Sequence, residues 1–166
     1  EELKKPDNKI VIIGNWGGSF LRIIKKLVLD IEKNKEKFKD WDISLVLHPA
    51  EYNTYKKLHL TKVKVFENHQ VSLWGMLSEA VATINIASTV LEESTYFGCY
   101  NIILKDVKFN DQMNFVQSLC GDYAYKEIVE PEEFIDWFGK REKNIKEHIL
   151  RKDRIIKQNY EYFLKN

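Results

Sequence analysis

Apolar residues in this chain come in short unbroken runs, and between the runs they thin out to every third or fourth position. KIVIIGN at 9–15 is the first run, rich in β-branched residues and followed by the turn-prone WGGS, which predicts a buried strand leading into a glycine loop. From Phe20 onward, Leu21, Ile24, Leu27 or Val28 and Ile31 recur with Lys, Asp and Glu between them, the stripe of an amphipathic helix. The alternation continues. DISLVL (42–47), KVKVF (62–66), VATINIA (81–87), YNIIL (100–104) and a weaker run at 124–129 predict strands, and 50–58, 71–79, STVLEESTYFG and 110–119 predict helices between them. Beyond Pro131, EEFIDWF starts a helix, and Ile145, Ile149, Ile156, Tyr160 and Phe163 form the apolar stripe of a long charged tail. Short, wholly apolar strands separated by helices are the pattern of a parallel sheet covered on both faces. The expected fold is a doubly wound, Rossmann-like α/β domain with a long C-terminal helix.

Length and composition narrow this further. The 166 residues suit one domain spanning 1–166, and 44% hydrophobic with 31% charged residues is the balance of a globular protein. Lys plus Arg number 26 against 25 Asp plus Glu, so a net charge of +1 gives no field for nucleic acid or anionic lipid, and no nucleic-acid partner is expected. The longest apolar runs fall far short of the ~20 residues a membrane helix needs, so no transmembrane segment is expected. Cys99 and Cys120 lie outside any CxxC or Cys/His ligand spacing and read as reduced core residues. His59, His69 and His148 show no ligand spacing either, so no metal is expected. The chain begins EELKKPDNK, without Met or a signal-peptide pattern, as a processed or excised piece of something longer would.

In doubly wound sheets ligands bind at the carboxyl ends of the strands, next to the point where strand order reverses. Three segments there can carry chemistry. GNWGGS, Gly14 to Ser19, puts Gly17 and Gly18 where backbone amides can approach an anion at a helix start, with Ser19 beside them or serving as the helix N-cap. Trp16, in the same loop, could cover a base or sugar or simply plug the loop. HPAE, His48 to Glu51, places Pro49 in a first helical turn and His48 at its entrance, where an imidazole can donate to a phosphate oxygen and its cation can stabilise a departing phosphate. ASTVLEESTYFG, Ala87 to Gly98, sets Thr89 and Glu92 at capping-box spacing, leaving Ser88 and Glu93 for phosphate and for a vicinal diol such as ribose. The acidic EPEE at 130–133 reads as helix N-terminal charge.

HPxE after one strand, then ST-x-x-x-E-x-x-x-x-G after a later one, resembles the donor-binding C-terminal half of bacterial GT-B glycosyltransferases, nearest the sialyltransferase and capsule-polysaccharide groups. The resemblance runs over about residues 9–130, with Glu93, Ser94 and Gly98 matching; the expected Pro after the glycine is replaced by Cys99 and Tyr100. It implies that His48 contacts the nucleotide phosphate as the catalytic group, that Ser88 and Thr89 hold phosphate, and that Glu93 faces the ribose. Gly17, Gly18, Ser19, Pro49 and Glu51 complete the expected donor site. The resemblance further implies a metal-independent transferase of surface-polysaccharide biosynthesis, with CMP-sialic acid favoured as donor and no cofactor. It would be cytoplasmic, with the inner face of the bacterial membrane as one place of work. The acceptor and the general base would lie in a missing N-terminal domain, so this piece should bind a donor without turning it over.

Two alternatives stay open. A CDP-polyol phosphotransferase of the teichoic-acid type resembles the same HP and serine pattern. A non-catalytic module for a nucleotide or sugar phosphate fits the same helix starts. A receiver domain is disfavoured, because Asn85 and Ile86 stand where its phosphorylatable Asp would be.

Overall fold

A computed structural model of the chain describes residues 8–14, 17–121 and 126–165. Asn15, Trp16, Ala124 and the side chain of Phe163, all given roles by the sequence pattern, lie outside the described part. The strands are β1 (Lys9–Ile13), β2 (Asp42–Leu47), β3 (Val63–Glu67), β4 (Ala82–Asn85), β5 (Tyr100–Leu104) and β6 (Lys126–Val129). The helices are α1 (Gly18–Lys33), α2 (Tyr52–Tyr55), α3 (Leu73–Glu79), α4 (Val90–Tyr96), α5 (Gln112–Cys120) and α6 (Phe134–Lys165). All strands run parallel in the order β3-β2-β1-β4-β5-β6, so the order reverses between β1 and β4. The doubly wound sheet is as the sequence predicts. The helix expected over 50–58 is shorter, a 3-10 turn at Pro49–Glu51 followed by the single turn of α2.

Alternation along each strand sorts the core onto two faces. Ile10, Ile12, Leu45, Ile84 and Ile102 pack with Ile24, Val28 and Ile31 of α1 and with Phe134, Phe138 and Ile145 of α6. Val11, Ile13 and Val46 face the other way, onto Met76 of α3, and Ile103 meets Leu91, Val116 and Cys120 under α4 and α5. Each fully buried Ile or Leu contributes ~1.5–3 kcal/mol of transfer free energy. Cys99 and Cys120 are both buried and unbridged, as expected.

Helix α6 departs from the expected stripe. Ile145 is buried, but Tyr160 is 56% exposed. The second half of the helix docks instead through His148, Lys152, Ile155 and Asn159, spaced as one helical face. The His148 Nε2–H donates to the Gly98 carbonyl (2.7 Å), and the Lys152 ammonium donates to the carbonyls of Leu77 (2.6 Å) and Ala80. Asn159 Nδ2 donates to the Tyr96 carbonyl at 3.0 Å. These acceptors are carbonyls at the ends of α3 and α4, immediately before β4 and β5 begin. One helix thus caps two others along the amino edge of the sheet.

Gly98 fits α4 to this arrangement. Its N–H donates to the Thr95 carbonyl and the Cys99 N–H to the Ser94 carbonyl, a Schellman ending that puts Gly98 at φ +70°. A Cβ there would lie 3.2 Å from both the Ile155 side chain and the Lys152 carbonyl. Gly98→Ala is expected to cost ~1–3 kcal/mol from the left-handed backbone and the crowding against α6. Urea denaturation measures it; an unshifted midpoint would mean that α6 does not press on this turn.

Candidate functional site

The carboxyl edge of the sheet begins with Gly14, whose N–H donates to the Val46 carbonyl at 2.8 Å, continuing the β1–β2 ladder by one residue. Gly17, exposed and at φ +128°, is the N-cap of α1, and Gly18 is its first residue. Ser19 is therefore not the N-cap. It sits in the first turn, and its hydroxyl donates to Asp106 Oδ2 (2.8 Å), tying α1 to the loop after β5.

HPAE folds as a reciprocal cap. Pro49 opens the turn with φ already set and no N–H to leave unpaired, as the sequence suggests. His48 Nδ1 accepts the Ala50 N–H at 3.2 Å, while Glu51 Oε2 accepts the His48 N–H at 3.1 Å. Accepting at Nδ1 puts the ring proton of neutral His48 on Nε2. His48 is exposed, whereas Glu51 is only 2% exposed. Burial pushes the Glu51 carboxyl up to about 7, against the lowering effect of the His48 N–H. Among the described residues, Glu51 Oε1 and the hydroxyl of buried Tyr55 have no hydrogen-bond partner. Burial and the nearby Glu51 charge both raise the Tyr55 phenol.

The loop after β4 corrects the expected capping box. Thr89 precedes α4 in helical geometry, at φ −60° and ψ −21°, and its side chain caps nothing. The cap falls to Ser88, whose Oγ accepts the Val90 N–H at 3.2 Å. Glu92 is exposed, and its carboxylate makes no capping bond with Thr89, so the reciprocal cap expected at this spacing is not formed. Glu93 accepts the Trp74 indole N–H from α3 at 3.3 Å. Ser94, matched in the sequence pattern, is buried, and its hydroxyl donates to Asn101 Oδ1 of β5.

A cleft of about 420 Å³ opens beside the HPAE turn, between the ends of β2 and β3. His48 and Pro49 line it together with Leu47, Tyr52, Asn53, Glu67, Asn68 and His69. Among the described residues, neither Gly14, Gly17 and Gly18 nor Ser88 and Glu93 line it. Three residues that sequence reasoning did not select also shape this edge. Asp106, buried after β5, receives the Ser19 hydroxyl and the Lys108 N–H, and a lone Asp closing an apolar run was the available signal. Gln112 Nε2 donates to the carbonyls of Ile86 (3.0 Å) and Leu104 (2.8 Å), clamping the ends of β4 and β5. Asn85, fully buried at the end of β4, has neither amide atom paired among the described residues.

No family model and no curated protein sequence matches the chain. Solved structures do. The glycosyltransferase SnogD from Streptomyces nogalater aligns over 93% of this chain and 39% of its own, with 16% identity and a TM-score of 0.53. The UDP-GlcNAc 2-epimerase from Neisseria meningitidis, solved bound to UDP-GlcNAc, aligns over 96% of this chain and 45% of its own, with 16% identity and a TM-score of 0.60. The catalytic domain of cholesterol-α-glucosyltransferase from Helicobacter pylori aligns over 93% of this chain and 99% of its own, with 16% identity and a TM-score of 0.53. The chain spans less than half of the first two proteins. At such identity the likeness is one of fold, the Rossmann-like α/β fold found in GT-B glycosyltransferases.

Proposed function

We propose that the chain is the donor-binding part of a two-domain, metal-independent glycosyltransferase, holding a nucleotide sugar across the carboxyl edge from His48 to Ser88. The observation that carries this is topological. β2 and β4 flank β1, so the loops bearing His48 and Ser88 rise two strand spacings apart, about 10 Å, with the glycine start of the 16-residue α1 between them. That span suits the phosphate and sugar of a nucleotide donor. In this reading the His48 Nε2–H donates to a phosphate oxygen and steadies the charge that develops as the sugar leaves. Ser88 and Thr89 bind the same phosphate. Glu93, engaged with Trp74 through one oxygen, offers the other to the ribose diol. CMP-sialic acid is favoured as donor on the HP and serine pattern; a CDP-polyol is the alternative from the same pattern. The acceptor and the general base belong to a further domain, and the isolated chain binds without turnover, because half a cleft cannot align two substrates.

Calorimetric titration with CMP, CDP, UDP and GDP tests the reading. A cytidine nucleotide is expected to bind best, and His48→Ala to weaken it by ~1.5–3 kcal/mol, the worth of a charged hydrogen bond. Absence of binding by all four, or equal binding by His48→Ala and Ser88→Ala, would refute it.

A further inference from the structure

Pairing between β4 and β5 ends at Asn85 and Ile103, so Ile86 and Leu104 are the next residues across from each other. One side chain from α5 takes over there. Gln112 Nε2 donates to both of their carbonyls, at 3.0 Å and 2.8 Å, and its Oε1 accepts the Asp106 N–H at 3.0 Å. Two acceptors and one donor fix which way the amide is turned. The side chain is 4% exposed, and these three bonds all go to backbone at the strand ends, where the ladder stops satisfying it.

The backbone so held leads into two loops of the carboxyl edge. Ile86 stands two residues before Ser88, whose Oγ accepts the Val90 N–H and whose carbonyl accepts the Leu91 N–H, so little freedom separates the clamp from the Ser88 hydroxyl. Asp106 carries the link the other way. Its Oδ1 accepts the Lys108 N–H at 3.0 Å, and its Oδ2 accepts the hydroxyl of Ser19, in the first turn of α1, at 2.8 Å. β4 lies between β1 and β5, so this link spans the end of β4. A planar amide holds its three partners in one fixed arrangement, which an apolar chain of the same length cannot do.

We infer that Gln112 is a positioning residue of the donor site: it sets Ser88 against the first turn of α1 by tying the β4 and β5 ends to each other and, through Asp106, to Ser19. This rests on the donor-binding reading above, in which Ser88 binds phosphate and buried Gln112 touches no donor atom. Loss of the clamp moves the Ser88 hydroxyl off the phosphate and leaves His48, on the far side of β1, where it is. The signature is a loss of affinity that depends on Ser88 and not on His48.

The probe is CMP, CDP, UDP or GDP, whichever the native chain binds most tightly in calorimetric titration. Gln112→Met, which keeps the length of the side chain, is expected to weaken binding about tenfold, an ordinary coupling within one hydrogen-bonded network. In a Ser88→Ala background the same substitution should cost less than about twofold, and in a His48→Ala background still about tenfold. Equal losses in the two backgrounds, or none, overturn the inference and leave donor binding standing. Scalar couplings across hydrogen bonds test the native chain without any variant. The Gln112 side-chain nitrogen is expected to couple to the carbonyl carbons of Ile86 and Leu104, both free and saturated with nucleotide. Disappearance of these couplings on saturation shows the clamp open in the bound form and overturns the inference even where Gln112→Met does not fold. Binding of none of the four nucleotides overturns both readings.

Discussion

Replacing Lys152 by methionine is expected to remove ~3–5 kcal/mol of folding stability, a large part of what a domain of this size holds. The side chain is 2% exposed, and its ammonium donates to the last carbonyls of α3 at Leu77 and Ala80, with the Cys99 sulfur at 3.4 Å. Methionine preserves the volume, so the loss is that of two charge-assisted hydrogen bonds of ~1.5–3 kcal/mol each and of the cation at a helix C-terminus. The carbonyls would keep only the weak Cys99 thiol, 3.4 Å from the Leu77 oxygen and 3.6 Å from that of Ala80. Urea denaturation should show a lower midpoint at unchanged slope, and the loss should be the same in low and high salt, since buried charge is weakly screened. A loss below ~1 kcal/mol, or one that vanishes in salt, would place Lys152 in solvent and detach this stretch of α6.

Glu51 is expected to make stability fall as pH rises, opposite to the usual carboxylate. Its folded value of about 7 lies above the ordinary 4.5, so the native state holds the proton more tightly than the unfolded chain. The contribution is complete below 4.5, fades through the interval and is gone above 7, a difference of ~2–4 kcal/mol. Glu32 runs the other way. Burial alone would raise it, but the backbone N–H groups of Val63, Thr61 and Lys62 hold it low, so its contribution is lost in acid. The two are separated by comparing native chain with Glu51→Gln in urea at pH 5 and pH 8. Glu51→Gln should gain on the native chain by that amount as pH increases. A constant difference between the two proteins would show that the carboxyl titrates in its ordinary range.

Much of this architecture is written in the sequence, because parallel strands buried on both faces are apolar throughout. DISLVL and YNIIL are β2 and β5 without a residue's error. What periodicity hides is a polar docking face. His148, Lys152 and Asn159 look like solvated surface until the ends of α3 and α4 are placed beneath them. Capping spacing proved ambiguous for a physical reason. Thr89-x-x-Glu92 and His48-x-x-Glu51 have the same separation, but a cap of this type needs an extended residue at its head. His48 is extended at φ −65° and ψ 142°, while Thr89 is already helical and Ser88 has taken its place. Glu51 stands out in the sequence through its motif, but its burial does not. Asn85 and Gln112 depend on which strands are neighbours, and no local pattern reports that.

The stripe on α6 also bears on the order in which the molecule can be completed. His148 reaches back 50 residues to Gly98, and Lys152 reaches back 72 and 75 to Ala80 and Leu77. Contacts so distant along the chain are costly to close and come late, and a ribosome makes residues 148–159 only after every described strand of the sheet. Until residue 159 has emerged, the ends of α3 and α4 stay hydrated and the amino edge of β4 and β5 stays uncovered. A nascent chain stopped short of that point holds all six described strands of the sheet and still leaves this edge unsealed.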